Sequence, residues 1–122
     1  MKTAIARIDA TSPAELAITV TTVVEQVAGR LGYLKRCRSE AEIAHACQLL
    51  RDTVSRINQF QIIEYGSDAQ SIFESLRQSR IRIGSQDMRI AAITLSVGGI
   101  LVTRNAVDFG KVPGLTIQDW TV

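Results

Sequence analysis

The chain reads as an α/β domain in which a parallel sheet is flanked by helices in three layers. Three observations predict this. Short runs of branched apolar residues alternate with longer segments of helical period, the pattern of strands joined by crossover helices. The two prolines, Pro13 and Pro113, stand near the ends, so the stretch between them lacks the strongest helix breaker. Glycine, serine or aspartate marks most of the changes of period.

The first strand is predicted at Leu16–Val20. Val20, Val24, Val27, Leu31 and Leu34 then recur at steps of 4, 3, 4 and 3, one stripe of an amphipathic helix with the Thr21 and Thr22 hydroxyls available as caps. Ser39 and Glu42 form a capping box, and Ile43, Cys47, Leu50, Val54 and Ile57 repeat the stripe in a second helix. A strand over 60–65 is followed by Gly66-Ser67-Asp68 and a helix carrying Ala69, Ile72, Phe73 and Leu76. Gly84-Ser85-Gln86 opens an Ala- and Ile-rich helix from Asp87 to Val97, which Gly98-Gly99 stops. Strand 100–103, a turn or short helix over 106–109, and a last strand at 115–117 complete the chain.

Length and composition narrow the function. At 122 residues, with 46% apolar and 21% charged, residues 1–122 are expected to form one globular domain, and low-hydrophobicity disorder is excluded. A formal charge of +2 is too small to argue nucleic-acid binding by itself. One histidine and two cysteines without a Cys-x-x-Cys pair exclude a Cys/His zinc site and fit a reducing, cytoplasmic setting. No apolar run is long enough to span a membrane, and Arg7 and Asp9 interrupt any signal-peptide core. Cys37 and Cys47 are expected to be small core or half-buried residues, His45 a surface residue, and Trp120 an anchor for the last strand.

In parallel sheets the chemistry sits outside the carboxyl ends of the strands. Residues just beyond those ends, or opening the helices there, include Glu25, Asp87, Asn105 and Asp108. Singly, each acid has an ordinary explanation: a solvated glutamate, a first-turn aspartate favoured by the helix dipole, a polar loop. Together they form an oxygen-only set suited to a hard cation such as Mg²⁺ or Mn²⁺, which activates water in phosphodiester cleavage. Thr21, Ala28, Gly29 and Gly32 share the face of Glu25, and glycines inside a helix predict a close approach there. Arg77, Arg80, Arg82, Arg89 and Arg104 either hold phosphates or form a solvated surface pairing with Glu74. No Gly-rich phosphate loop or Ser/His/Asp set competes.

The stretch GSQDMRIAAITLSVGGILVTRNAVDFGKVPGLTIQDW, from Gly84 to Trp120, resembles the C-terminal half of PIN-domain ribonucleases of the VapC-like toxin branch. Upstream, LAITVTTVVEQVAGRL resembles the family's strand, Ser/Thr turn and acid-bearing helix, and EYGSDAQSIFESLRQSRIRIG its next strand and helix. The resemblance implies a PIN-like fold and a Mg²⁺- or Mn²⁺-dependent endoribonuclease, the toxin of a toxin–antitoxin pair. Its implied partners are an RNA substrate, a cognate antitoxin and a second copy of the chain. Glu25 and Asp87 match two metal-binding acids of the family, and either Asn105 or Asp108 supplies the fourth polar position. Thr103, Arg104, Arg82 and Arg89 are candidates for RNA phosphate contacts.

One departure matters. Family members open with a buried strand ending in Asp-Thr, and no such element precedes Leu16. Ile8-Asp9-Ala10-Thr11 imitates it, yet Asp9 stands only 16 residues before Glu25. The expectation is an N-terminally truncated domain lacking roughly 20 residues, a strand and a short helix. The alternative function is therefore a degenerate, non-catalytic PIN domain acting through antitoxin or self-association. A sheet without its central strand is expected to close the gap or to fill it with another chain, for example by swapping the Met1–Ala10 arm.

Overall fold

A computed structural model describes residues 17–119; Leu16, Asp9, the Met1–Ala10 arm and Trp120 lie outside the described residues. The described order is β1 (Ala17–Thr19), α1 (Val20–Arg36), α2 (Glu40–Ile57), β2 (Gln61–Ile63), α3 (Ser67–Gln78), α4 (Ser85–Ser96), β3 (Ile100–Val102), α5 (Ala106–Phe109) and β4 (Thr116–Gln118). The α/β class and parallel pairing are as expected. The strands are shorter than the apolar runs that announce them, because only the residues facing a partner strand enter the ladder.

The pairing departs from one continuous sheet. β1 runs parallel to β2, with Ile18 opposite Ile62, and β3 runs parallel to β4, with Leu101 opposite Ile117. Among the described residues these pairs form two separate two-stranded sheets. Helix α4 packs against both β1 and β3 and ties the pairs together.

The core lies where α3 crosses α4. Phe73 and Leu76 of α3 meet Met88, Ile90, Ala91 and Ala92 of α4, with Leu101, Phe109 and Val112 closing the cluster. Alanines on α4 let the helices approach closely, so Ala91, Ala92 and Ile93 are fully buried. Gly98 ends this helix at φ +64°, the left-handed conformation that glycine adopts without a Cβ penalty, and its N–H bonds the Leu95 carbonyl at 3.1 Å.

The two N-terminal helices differ from their predicted stripes. The N-cap of α1 is Thr19, whose Oγ1 accepts from the Thr22 N–H at 3.1 Å, rather than Thr21 or Thr22. Its buried residues are Thr21 and Thr22, while Val24 and Leu31 are 54% and 42% exposed. In α2 the buried positions are Ala46, Thr53 and Ile57, and Val54 and Cys47 face outward. Between α1 and α2, Arg30 Nε donates to Thr53 Oγ1 at 3.0 Å. The capping box forms as expected: Ser39 Oγ accepts from the Glu42 N–H at 3.1 Å, and its hydroxyl donates to the Glu42 carboxylate. The only neighbour that a Cβ at Gly32 would meet among the described residues is the Arg36 guanidinium, at 3.6 Å. Among the described residues nothing lies within 4 Å of a Cβ at Gly29.

Candidate active site

Between the two strand pairs lies a cleft of about 820 Å³, whose lining includes Thr19, Thr22, Glu25, Asp87, Thr103 and Asn105. Thr19, at the carboxyl end of β1, hydrogen-bonds Thr22 through both hydroxyls at 3.0 Å, fixing the first turn of α1. One turn later Glu25 lines the cleft. Asp87 enters from the first turn of α4, where the helix dipole favours a carboxylate. The N-cap is Gly84, which supplies no side-chain cap, and Asp87 is the acidic group of that first turn.

The opposite wall is the β3–α5 connection. Thr103 is buried; its N–H donates to the Gln118 carbonyl and its Oγ1 accepts from the Asn105 N–H, both at 3.0 Å. That bond turns the chain so that Asn105 caps α5, accepting from the Asp108 N–H at 3.3 Å. The Asn105 amide in turn donates to Asp108 Oδ2 at 3.0 Å, and Lys111 Nζ donates to Asp108 Oδ1 at 3.3 Å.

The charges respond to one another. Partial burial, then the neighbouring Asp87 carboxylate, raises the Glu25 carboxyl above the usual range. Partial burial, then Asp108, raises Asp87. Asp108 moves the other way, held below its usual range by the hydrogen bonds from Asn105 and Lys111. Asp87 thus raises Glu25 and Asp108 raises Asp87, while Asp108 itself is held down by its own hydrogen bonds. Among the described residues no group of three His, Cys, Asp or Glu side chains is gathered closely enough to hold a metal ion.

The arginines divide. Arg77 pairs with Glu74, the solvated-surface alternative. Arg89 lays its guanidinium 5.1 Å from the Phe73 ring centre, a stacking contact on the edge of the core. Arg82 and Arg104 are exposed, Arg104 standing in sequence between the cleft residues Thr103 and Asn105. Lys111 escaped sequence reasoning; it lies two residues past the end of α5 and pairs with Asp108 three residues earlier. It also donates to the Arg82 carbonyl at 3.1 Å, linking the α5 turn to the segment that leads into α4. His45 is exposed and meets Tyr33 edge-on, and Cys37 is half-buried. No helix among the described residues is long and apolar enough to cross a membrane.

No protein-family model matches the chain. Ribonuclease VapC1 from Haemophilus influenzae strain R2866 is 28% identical over 108 residues, spanning 87% of this chain and 75% of that protein. Among solved structures, the VapBC-1 complex from nontypeable Haemophilus influenzae matches with a TM-score of 0.76 at 21% identity, covering 100% of this chain and 87% of the matched one. The DNA-bound VapBC complex from Salmonella typhimurium matches with a TM-score of 0.78 at 22% identity, covering 98% and 86%. FitAcB from Neisseria gonorrhoeae reaches 0.75 at 16% identity, covering 99% and 86%. The chain therefore shares the fold found in these complexes.

Proposed function

We propose that this chain, VapC-like in sequence and fold, is the endoribonuclease toxin of a toxin–antitoxin pair. The observation that carries the proposal is the meeting of Glu25 and Asp87, the two acids singled out by the resemblance, in one cleft with Thr103 and Asn105.

The donor set fits a small divalent cation. Mg²⁺ is commonly held by one or two carboxylates with water and substrate phosphate completing the shell. Glu25 and Asp87 supply two carboxylates that repel each other, and a cation between them would relieve that repulsion. Mg²⁺ or Mn²⁺, when bound, supplies a water activated for attack on a phosphodiester. The protein's own part is to hold Glu25 on the second turn of α1 and Asp87 on the first turn of α4, and to keep the Asn105 amide at the opposite wall. Arg104 and Arg82 offer positive charge to an RNA backbone at the rim. The exposed Val24 and Leu31 of α1 and Val54 of α2 offer apolar contacts to an antitoxin or to a second copy of the chain.

RNA cleavage by the full chain with Mg²⁺, with Mn²⁺ and with chelator tests this reading. Cleavage is expected only with a divalent ion and is expected to fall to background in Asp87→Asn. A second reading, a non-catalytic PIN-like domain working through its partners, draws on Asp108. Both of its oxygens are already engaged, by Asn105 and Lys111. Metal-independent inertness toward RNA together with tight antitoxin binding would select that reading.

A further inference from the structure

The connection between α3 and α4, residues 79–84, leads to Asp87 yet has few polar ties. Arg80 stands at φ +60°, the one non-glycine residue with positive φ among the described residues. This left-handed residue closes α3, its N–H bonding the Arg77 carbonyl at 3.1 Å. Ile81 and Ile83 then pack against the core, while Arg82 and Gly84 are exposed. The Ile83 N–H bonds the Ile81 carbonyl at 3.2 Å, and the Met88 N–H bonds the Gly84 carbonyl at 2.9 Å. Among the described residues one hydrogen bond joins this connection to a remote segment: Lys111 Nζ donates to the Arg82 carbonyl at 3.1 Å.

The same ammonium donates to Asp108 Oδ1 at 3.3 Å, and Asp108 Oδ2 accepts from the Asn105 amide at 3.0 Å. The Asn105 N–H is tied in turn to Thr103. An unbroken series of bonds therefore runs from Arg82, five residues before Asp87, to the cleft residues that follow β3. The base of Lys111 is fixed as well. Its N–H bonds the Asp108 carbonyl at 3.1 Å, and the next residue, Val112, is buried in the core. A carbonyl and a carboxylate are both acceptors, so only a side chain with several donors joins them; an ammonium has three.

We propose that Lys111 is a positioning residue, which fastens the 79–84 connection, and through it Asp87, to the wall carrying Asn105 and Asp108. It acts through these groups and touches neither RNA nor cation. Its consequence for cation binding rests on the nuclease reading; the fastening does not. Charge and position predict opposite signs. As a bare positive charge near carboxylates Lys111 repels a cation, so Lys111→Met would tighten cation binding. As a fastener it keeps Asp87 in place against the opposite wall, so Lys111→Met weakens binding. Lys111→Arg retains both the charge and several donors. The side chain is 44% exposed, so either variant is accommodated.

The test compares the full parent chain with Lys111→Met and Lys111→Arg. Without metal, hydrogen exchange at the Ile83 and Met88 amides is expected to speed about three- to fivefold in Lys111→Met, the scale of a solvent-screened charge contact. Lys111→Arg should stay near the parent, and amides of Ala91–Ile93 should hold steady as the folded control. In Mn²⁺ titrations the affinity is expected to fall by a similar factor in Lys111→Met and to return in Lys111→Arg. Unchanged exchange at Ile83 and Met88 in Lys111→Met would overturn the fastening. Tighter or unchanged Mn²⁺ binding by Lys111→Met would reduce the residue to its charge and overturn the positioning role. A parent that binds no Mn²⁺ would overturn the nuclease reading and the role in cation binding, and the metal-free exchange would still decide the fastening.

Discussion

Two regions of the molecule solve the burial problem differently. Where α3 crosses α4, large apolar side chains interlock: Phe73, Leu76, Met88 and Ile90 are buried by the chain's own residues. In the α1–α2 pair Arg30 hydrogen-bonds Thr53, the buried residues are Thr21, Thr22, Ala46, Thr53 and Ile57, and Val24, Leu31 and Val54 are left exposed. The first region is finished by the chain itself. The second, together with the cleft beside it, carries apolar surface and strand edges that the described residues do not cover. The difference teaches where stability and where function reside, since Asp87 is brought to the cleft by α4, anchored in the closed region, and meets Glu25 on α1 of the open one.

The comparison breaks most readily at Phe73. Phe73→Ala should cost on the order of 3–5 kcal/mol in denaturant unfolding, because it empties the middle of the packed region and removes the support under Arg89. Val54→Ala, an outward-facing truncation in the other region, should stay within about 0.5 kcal/mol. Comparable losses at the two sites would abolish the distinction drawn between the regions.

Gly29→Ala sharpens it from the opposite direction. With nothing near the added methyl among the described residues, the substitution should stabilise α1 by up to about 1 kcal/mol. The same variant should weaken a partner that seats closely on that face, so thermal melts and antitoxin binding would move in opposite senses.

Smaller still is the effect of pH on the acidic end. Glu25 and Asp87 are raised in the folded chain, so the native state holds more protons than the unfolded one across that window. Their contribution is therefore fully present at low pH and is lost as pH rises from the ordinary carboxylate range through the raised values. Asp87→Asn should remove that loss, leaving the variant more stable than the parent at neutral pH by roughly a few tenths of a kcal/mol, the scale of solvent-screened charges. The advantage should vanish in acid. Asp108 has the opposite sign: its contribution is present above its ordinary value and lost as pH falls through the lowered one. Lys111→Met should move its titration upward in a carboxyl-detected NMR experiment.

What the sequence made legible was local. The Ser39–Glu42 box, the Gly98 stop and the face of α3 through Ala69, Phe73 and Leu76 involve residues within a turn or two of one another. The cleft acids were legible because strand ends and helix starts can be located from such signals. The buried face of α1 was not, since Thr21 and Thr22 are chosen by a hydroxyl of Thr19 and by α4, neither visible in helical spacing. The split into two strand pairs was equally hidden. A three-residue strand states its face but not its neighbour. Lys111 was overlooked because its second partner, the Arg82 carbonyl, lies 29 residues away.

The central claim is that Glu25 and Asp87 together make the cation-holding edge of the cleft. Calorimetric titration of Mn²⁺ or Mg²⁺ into the parent chain, Glu25→Gln, Asp87→Asn and Asp108→Asn tests it most directly. The account predicts measurable binding by the parent, its loss in both Glu25→Gln and Asp87→Asn, and a weaker effect in Asp108→Asn, whose carboxylate is already engaged by Asn105 and Lys111. Undiminished affinity in Asp87→Asn, or a loss confined to Asp108→Asn, would contradict it.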